Sequence, residues 1–182
     1  MLIGLIGKAR SGKSTVAAYW AEKHGAVILS FALPLKILVY WALLRNPPPG
    51  ADNPDWEELL WTHRTPFTRW LLQFIGTDII RHLDKDFFVD SLIDEYRHDL
   101  NSRLSVVTDV RFLNEATAIK NNGGIIVRVV REGHGDLIEA GATHISETEL
   151  DSYQADFIIS ASEGVENLKL KADEVFNAIC CA

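Results

Sequence analysis

Gly7-Lys8-Ala9-Arg10-Ser11-Gly12-Lys13-Ser14 is the stretch in which residue type and spacing most directly prescribe chemistry. It fits the pattern G-x-x-x-x-G-K-[ST]. Glycines let the backbone curl until its N–H groups converge on phosphate oxygens, and a helix opening there adds the positive end of its dipole. Lys13 can neutralise the β- and γ-phosphates of a nucleotide and the Ser14 hydroxyl can ligate Mg²⁺; Gly7, Arg10, Ser11, Gly12 and Thr15 complete the cofactor-binding set. A chance match in a chain of this length has a probability of about 1%. The motif also follows an apolar run and opens a helical one, the context it requires.

Three further groups carry charge that could converge on phosphates. Thr108-Asp109-Val110-Arg111 ends a predicted strand, and ligands of open parallel sheets bind beyond the carboxyl ends of strands. There Asp109 can hold the Mg²⁺ water shell or orient an acceptor, and Arg111 can clamp a phosphate through two parallel hydrogen bonds. Arg69, Gln73, Thr77 and Arg81 are spaced to share one face of a continuous helix. Arg128 and Arg131 close another predicted strand; Arg128 alternates away from Val127 and Val129 and reads as structural, whereas Arg131 opens a polar, glycine-containing segment suited to a lid. Such a set serves phosphoryl transfer, which needs positioning and charge neutralisation more than covalent chemistry. The GTPase patterns D-x-x-G and N-K-x-D do not occur in the chain.

The elements that must position these residues are legible as apolar runs and punctuation. Strands are predicted at 2–6, 26–31, 104–108, 125–130 and 157–159, and helices over 13–24, 34–44, 66–83, 86–100, 114–122 and 165–179. Pro47, Pro48, Pro49 and Pro54 mark 46–54 as a loop or flap. Near-continuous apolar strands separated by helices indicate an α/β domain with a mostly parallel sheet.

The chain has 182 residues, enough for one domain with a sizeable core. A net charge of −7 argues against a general nucleic-acid binder, without excluding one anionic small molecule held by a local cationic cluster. Cys180 and Cys181 are adjacent, so they suggest neither a disulfide framework nor a metal site, only a frayed or partly packed tail. With no secretory signal and no apolar stretch long enough to span a bilayer, the expectation is a cytoplasmic protein without membrane association.

The sequence resembles the bacteriophage-type deoxynucleoside monophosphate kinases, within the P-loop nucleoside monophosphate kinase-like group. The resemblance runs over Gly7–Ser14; Phe31-Ala32-Leu33-Pro34-Leu35-Lys36; Leu72-Gln73 with Gly76, Thr77 and Arg81; Val107-Thr108-Asp109-Val110-Arg111-Phe112 with Asn114-Glu115-Ala116; and His144-Ile145-Ser146-Glu147. It implies a three-layer P-loop NTPase fold with a five-stranded sheet, a helical monophosphate-binding region at about 33–103 and a short lid at about 131–146, on a core of 1–32, 104–130 and 155–182. It implies ATP and Mg²⁺ as cofactors and a deoxynucleoside 5′-monophosphate as acceptor. By matching positions, Lys13 and Ser14 would hold ATP and Mg²⁺, Lys36, Gln73 and Arg81 would line the monophosphate site, Asp109 and Arg111 would sit between the two nucleotides and Arg131 would be the lid cation. With Lys8, Arg69 and Thr77 added from the reading of the loop and the helix face, the expected catalytic set is Lys13, Asp109, Arg111 and Arg131, the acceptor side Lys8, Lys36, Arg69, Gln73, Thr77, Arg81 and Arg111, and the metal ligands Ser14 and Asp109. Leu33, where the family often has Asp, and Phe87-Phe88, where it often has Trp, depart from the pattern and bear on the acceptor base. His144, Ser146 and Glu147 suggest a capping or lid-closing role. Alternatives are a kinase for another phosphorylated acceptor, dephospho-coenzyme A or phosphomevalonate, and a non-catalytic nucleotide-binding regulator; a homodimer stays open.

Overall fold

Leu2–Ile6 is buried at all five positions, as a strand covered on both faces requires. It is the centre of the architecture. The computed structural model describes residues 1–48, 55–62, 65–100, 103–131, 148–161 and 164–181. In chain order its elements are β1 (Leu2–Ile6), α1 (Lys13–His24), β2 (Val27–Leu29), α2 (Leu33–Arg45), α3 (Pro66–Gln73), α4 (Arg81–Leu83), α5 (Phe87–Glu95), β3 (Ser105–Val107), α6 (Leu113–Asn121), β4 (Ile125–Arg131), β5 (Phe157–Ala161) and α7 (Val165–Cys181). Wider π-helical turns occupy Glu58–Thr62, Phe74–Ile80 and Tyr96–Leu100. The chain divides into two compact units, Met1–Ser30 with Leu92–Ala182, and Phe31–Ser91.

The first unit holds a five-stranded sheet of order β2-β3-β1-β4-β5, parallel at every pairing. Val16, Ala17 and Trp20 of α1 and Leu168, Ala172, Phe176 and Ile179 of α7 pack on Ile3, Leu5, Val127 and Val129. Because side chains alternate across a strand, Gly4 and Ile126 face the other way, where Ile119 of α6 meets them. Helices therefore cover both faces and leave the strand ends for chemistry. Glycines in left-handed conformation bracket α1, Gly12 at φ 105 and Gly25 at φ 68, which fixes its limits at the predicted residues. β2 is shorter than its apolar run suggests, and just beyond it the Ser30 hydroxyl donates to Asp109. α7 runs to Cys181, and both cysteines lie exposed on its last turn.

Asp156 sets the register of the outer pair. Its N–H donates to the Ile126 carbonyl at 2.9 Å, its Oδ2 accepts from Ile126 N–H at 2.8 Å, and Lys120 Nζ reaches the carboxylate at 2.8 Å. Partial burial pushes this carboxyl up, but the Ile126 N–H and the Lys120 ammonium outweigh it and hold its pKa below the ordinary 3.8. A depressed carboxyl pKa contributes stability above the unfolded-state value, and that contribution is lost as pH falls through the folded one. Because the carboxylate is more than a third exposed, screening limits its worth: Asp156→Ala is expected to cost about 1 kcal/mol at pH 7, or roughly 2–4 °C in Tm, with the gap from wild type narrowing as pH falls below about 4; thermal melts at both pH values check this.

The second unit is helical. Thr65 caps α3 by accepting from Thr68 N–H at 3.2 Å, with Pro66 in the first turn. Thr68, fully buried, donates to the Leu59 carbonyl at 3.1 Å and ties α3 to the preceding π-helical turn. Gly76 gives α2 its close approach: a Cβ there would lie 2.6 Å from Leu35 Cδ2. Among the described residues no helix is long and apolar enough to cross a membrane.

Candidate functional site

The phosphate loop leaves β1 at Gly7 and enters α1 at Lys13, and two conformational facts explain its glycines. Gly7 sits at φ 139, and a Cβ there would meet the Val129 carbonyl oxygen at 2.3 Å. Gly12 occupies the N-cap of α1 at φ 105, where it offers no side chain to cap the first turn, so the helix presents its N-terminal amides. Lys13 curls back over the loop, its Nζ donating to the Gly7 carbonyl at 2.6 Å and the Lys8 carbonyl at 2.7 Å. Ser11 is buried and its N–H donates to the Lys8 carbonyl at 3.2 Å. Ser14 and Thr15 fall in the first turn of α1, with Ser14 exposed. Arg10 holds φ 61, a left-handed backbone that glycine adopts at lower cost.

β1 lies between β3 and β4 in a parallel sheet, so the residues following all three strands emerge on one edge. That edge carries the phosphate loop after β1, Asp109 and Arg111 after β3, and Arg131 as the last residue of β4. Asp109 Oδ2 accepts from Ser30 Oγ at 2.7 Å, and Ser30 follows β2 on the same edge. Arg111 is half-buried, and its backbone N–H donates to Glu115 Oε2 at 2.7 Å. Glu115 is 1% exposed, and the same oxygen also accepts from Phe112 N–H at 3.1 Å. This carboxylate in the first turn of α6 thus caps the helix and fixes the chain at Arg111. Leu113 N–H is taken by Glu149 Oε1 at 2.7 Å.

The other cations divide in role. Arg128 Nη2 donates to the Leu150 carbonyl at 2.8 Å and the Tyr153 carbonyl at 2.7 Å, the structural part its strand alternation predicts. Lys8 Nζ binds both carboxylate oxygens of Asp151 at 2.6 Å. Arg131 is exposed. His144, Ser146, Glu147 and the rest of the predicted lid beyond Arg131 lie outside the described residues, as do residues 49–54 of the proline-rich loop.

Lys36, Arg69, Gln73, Thr77 and Arg81 all belong to the helical unit. Lys36 Nζ stands 5.9 Å from the Trp61 ring centroid, and the Arg81 guanidinium 4.9 Å from that of Phe88. Aromatic faces therefore orient both cations, and Phe88 supplies an aromatic surface at a position where the sequence departs from the pattern it resembles. The continuous helix expected over 66–83 is interrupted by the π-helical turn Phe74–Ile80. Four residues overshoot one α-helical turn and fall short of the wider π turn, so the change reverses the drift of the spacing and returns Thr77 and Arg81 toward the line of Arg69.

Sequence reasoning missed Ser30 and Glu149 and read Glu115 only as part of a motif. Ser30 had a signal, a hydroxyl at the carboxyl end of a strand; Glu115 stands three residues after Phe112, the spacing of a carboxylate that reaches back to a helix start. Among the described residues no group of three or more His, Cys, Asp and Glu side chains could alone hold a metal ion.

The family model of deoxynucleotide monophosphate kinases matches residues 51–172. A protein of Acanthamoeba polyphaga mimivirus that carries the same kinase name is 33% identical over 186 aligned residues, covering 91% of this chain and 91% of its own. The deoxynucleotide monophosphate kinase of Escherichia phage RB69 is 29% identical over 110 residues, 59% of this chain and 43% of that longer protein. Among solved structures, TT1252 from Thermus thermophilus superposes with a TM-score of 0.52 at 17% identity, over 98% of this chain and 97% of its own, a likeness of fold.

Proposed function

The chain belongs to the deoxynucleotide monophosphate kinase family, and from that premise we propose that it transfers the γ-phosphoryl group of ATP to the phosphate of a deoxynucleoside monophosphate. The observation that carries the reading is the sheet edge on which the glycine-shaped loop with Lys13 lies beside Asp109 and Arg111. The loop amides and the N-terminus of α1 would hold the ATP phosphates, and Lys13 would exchange its two carbonyl partners for phosphate oxygens. Arg10 keeps a side chain at a backbone position that glycine would occupy more easily, which supports a donor-side contact.

Ser14 and Asp109 offer a hydroxyl and a carboxylate, hard oxygen donors that suit Mg²⁺ when phosphates and waters supply the remaining ligands. When bound, Mg²⁺ would offset the charge that builds on the transferring group. Ser30 would hold the Asp109 carboxylate in its working orientation. Arg111 and Arg131 would stabilise the equatorial oxygens of the phosphoryl group, and Lys36, Arg69, Gln73, Thr77 and Arg81 would bind the acceptor. The attacking phosphate oxygen is already ionised at neutral pH, so no strong general base is needed.

A coupled assay of ADP release over a panel of deoxynucleoside monophosphates tests the reading. At least one is expected to raise ADP release about 10²-fold or more over ATP alone, a modest share of usual kinase accelerations. Turnover of dephospho-coenzyme A or phosphomevalonate with none of the panel would overturn the acceptor assignment.

A further inference from the structure

The turn at residues 148–153 makes three separate attachments. Glu149 Oε1 accepts the Leu113 N–H at 2.7 Å, two residues beyond Arg111. Both oxygens of Asp151 accept from Lys8 Nζ in the phosphate loop at 2.6 Å. The carbonyls of Leu150 and Tyr153 bind the Arg128 guanidinium of β4, at 2.8 and 2.7 Å, and Leu150 itself is buried. One short turn, seated firmly on the sheet, thus reaches both the phosphate loop and the start of α6.

We infer that Glu149 and Asp151 are positioning residues that hold the phosphate loop and the Arg111 segment in a fixed mutual geometry. The inference rests on the kinase reading above. Stability alone is a poor account of these contacts. The Lys8 and Asp151 side chains are 50% and 51% exposed, and pairs so exposed add little to folding. Their position is a better account. The two segments they join carry the groups that must meet one phosphoryl group, and an ångström of misplacement is costly in rate. Lys8, anchored by Asp151, then acts by keeping the loop in place.

The test uses the full chain with Glu149→Ala, Asp151→Ala, the double variant and Glu149→Gln, whose amide oxygen can still accept the Leu113 N–H. Each alanine variant is expected to lose about tenfold in kcat while KM for ATP stays within about twofold, the split that misalignment produces and weakened binding does not. Glu149→Gln should keep kcat within about threefold, and the double variant should lose less than the product of the single losses, because both contacts act through one turn. Tm should move by only a few degrees, within about 4 °C. Alanine variants with wild-type kcat, a Glu149→Gln variant as impaired as Glu149→Ala, or faster turnover by Asp151→Ala would each overturn the inference. A wild-type chain without acceptor-dependent turnover would instead sink the kinase reading, and the inference with it.

Discussion

Lys13→Ala is expected to lower kcat/KM for ATP by about 10³-fold, in line with losing a preorganised charge on the transferring phosphates. Lys13 Nζ lies over the Gly7 and Lys8 carbonyls, so the ammonium is already held within the loop whose amides would receive the phosphates. Its removal leaves the glycine conformations and the packing of α1 in place. The fold should persist, because Val16, Ala17 and Trp20 anchor that helix in the core. Tm is accordingly expected to change by less than about 3 °C, since the ammonium's two hydrogen bonds lie at least partly in solvent. Lys13→Arg should recover little, because a planar guanidinium cannot replace a compact ammonium in a loop of this curvature. Steady-state kinetics with thermal melts separate the effects. A Lys13→Ala variant within threefold of wild type would mean that the loop does not carry the reaction.

Arg111→Ala is expected to cost about 10³ in kcat, with ATP affinity within about threefold, because an arginine aimed at the transferring group acts mainly in the transition state. The structure gives Arg111 a fixed origin: the buried Glu115 carboxylate holds its backbone N–H and that of Phe112. A side chain launched from so constrained a point loses little freedom when it engages phosphate. Arg111→Lys should restore only part of the rate, since it loses the paired hydrogen-bond geometry. Arg131→Ala should change kcat in the same direction. Single-turnover rates and calorimetric ATP titrations check these expectations, and full activity in both alanine variants would contradict the site assignment.

What the sequence made legible was local. The phosphate loop is contiguous, each glycine meets a backbone demand, and the limits of α1 follow from Gly12 and Gly25. Strand alternation sufficed to read Arg128 as structural, because a period of two determines which way a side chain points. The stripe Arg69, Gln73, Thr77, Arg81 was harder: its spacing presumed an unbroken α-helix, and the close approach of Leu35 to Gly76 and the π-helical turn are tertiary facts. Hidden altogether were partnerships across long stretches of chain. Ser30 and Asp109 are 79 residues apart, and Lys8 and Asp151 are 143 apart. No periodicity connects such pairs; only the parallel order of the strands, which places distant segments on one sheet edge, brings them together.

The central claim is the transfer of the γ-phosphoryl group to a deoxynucleoside monophosphate. Its most direct measurement is the fate of label from γ-labelled ATP, incubated with the acceptor that gives the fastest ADP release, with Mg²⁺, and resolved by chromatography. The expected result is label on the terminal phosphate of the deoxynucleoside diphosphate, in equal amount to the ADP formed and accumulating about 10³-fold more slowly with Lys13→Ala. Label recovered only as inorganic phosphate, or retained on ATP that binds without turnover, would contradict it.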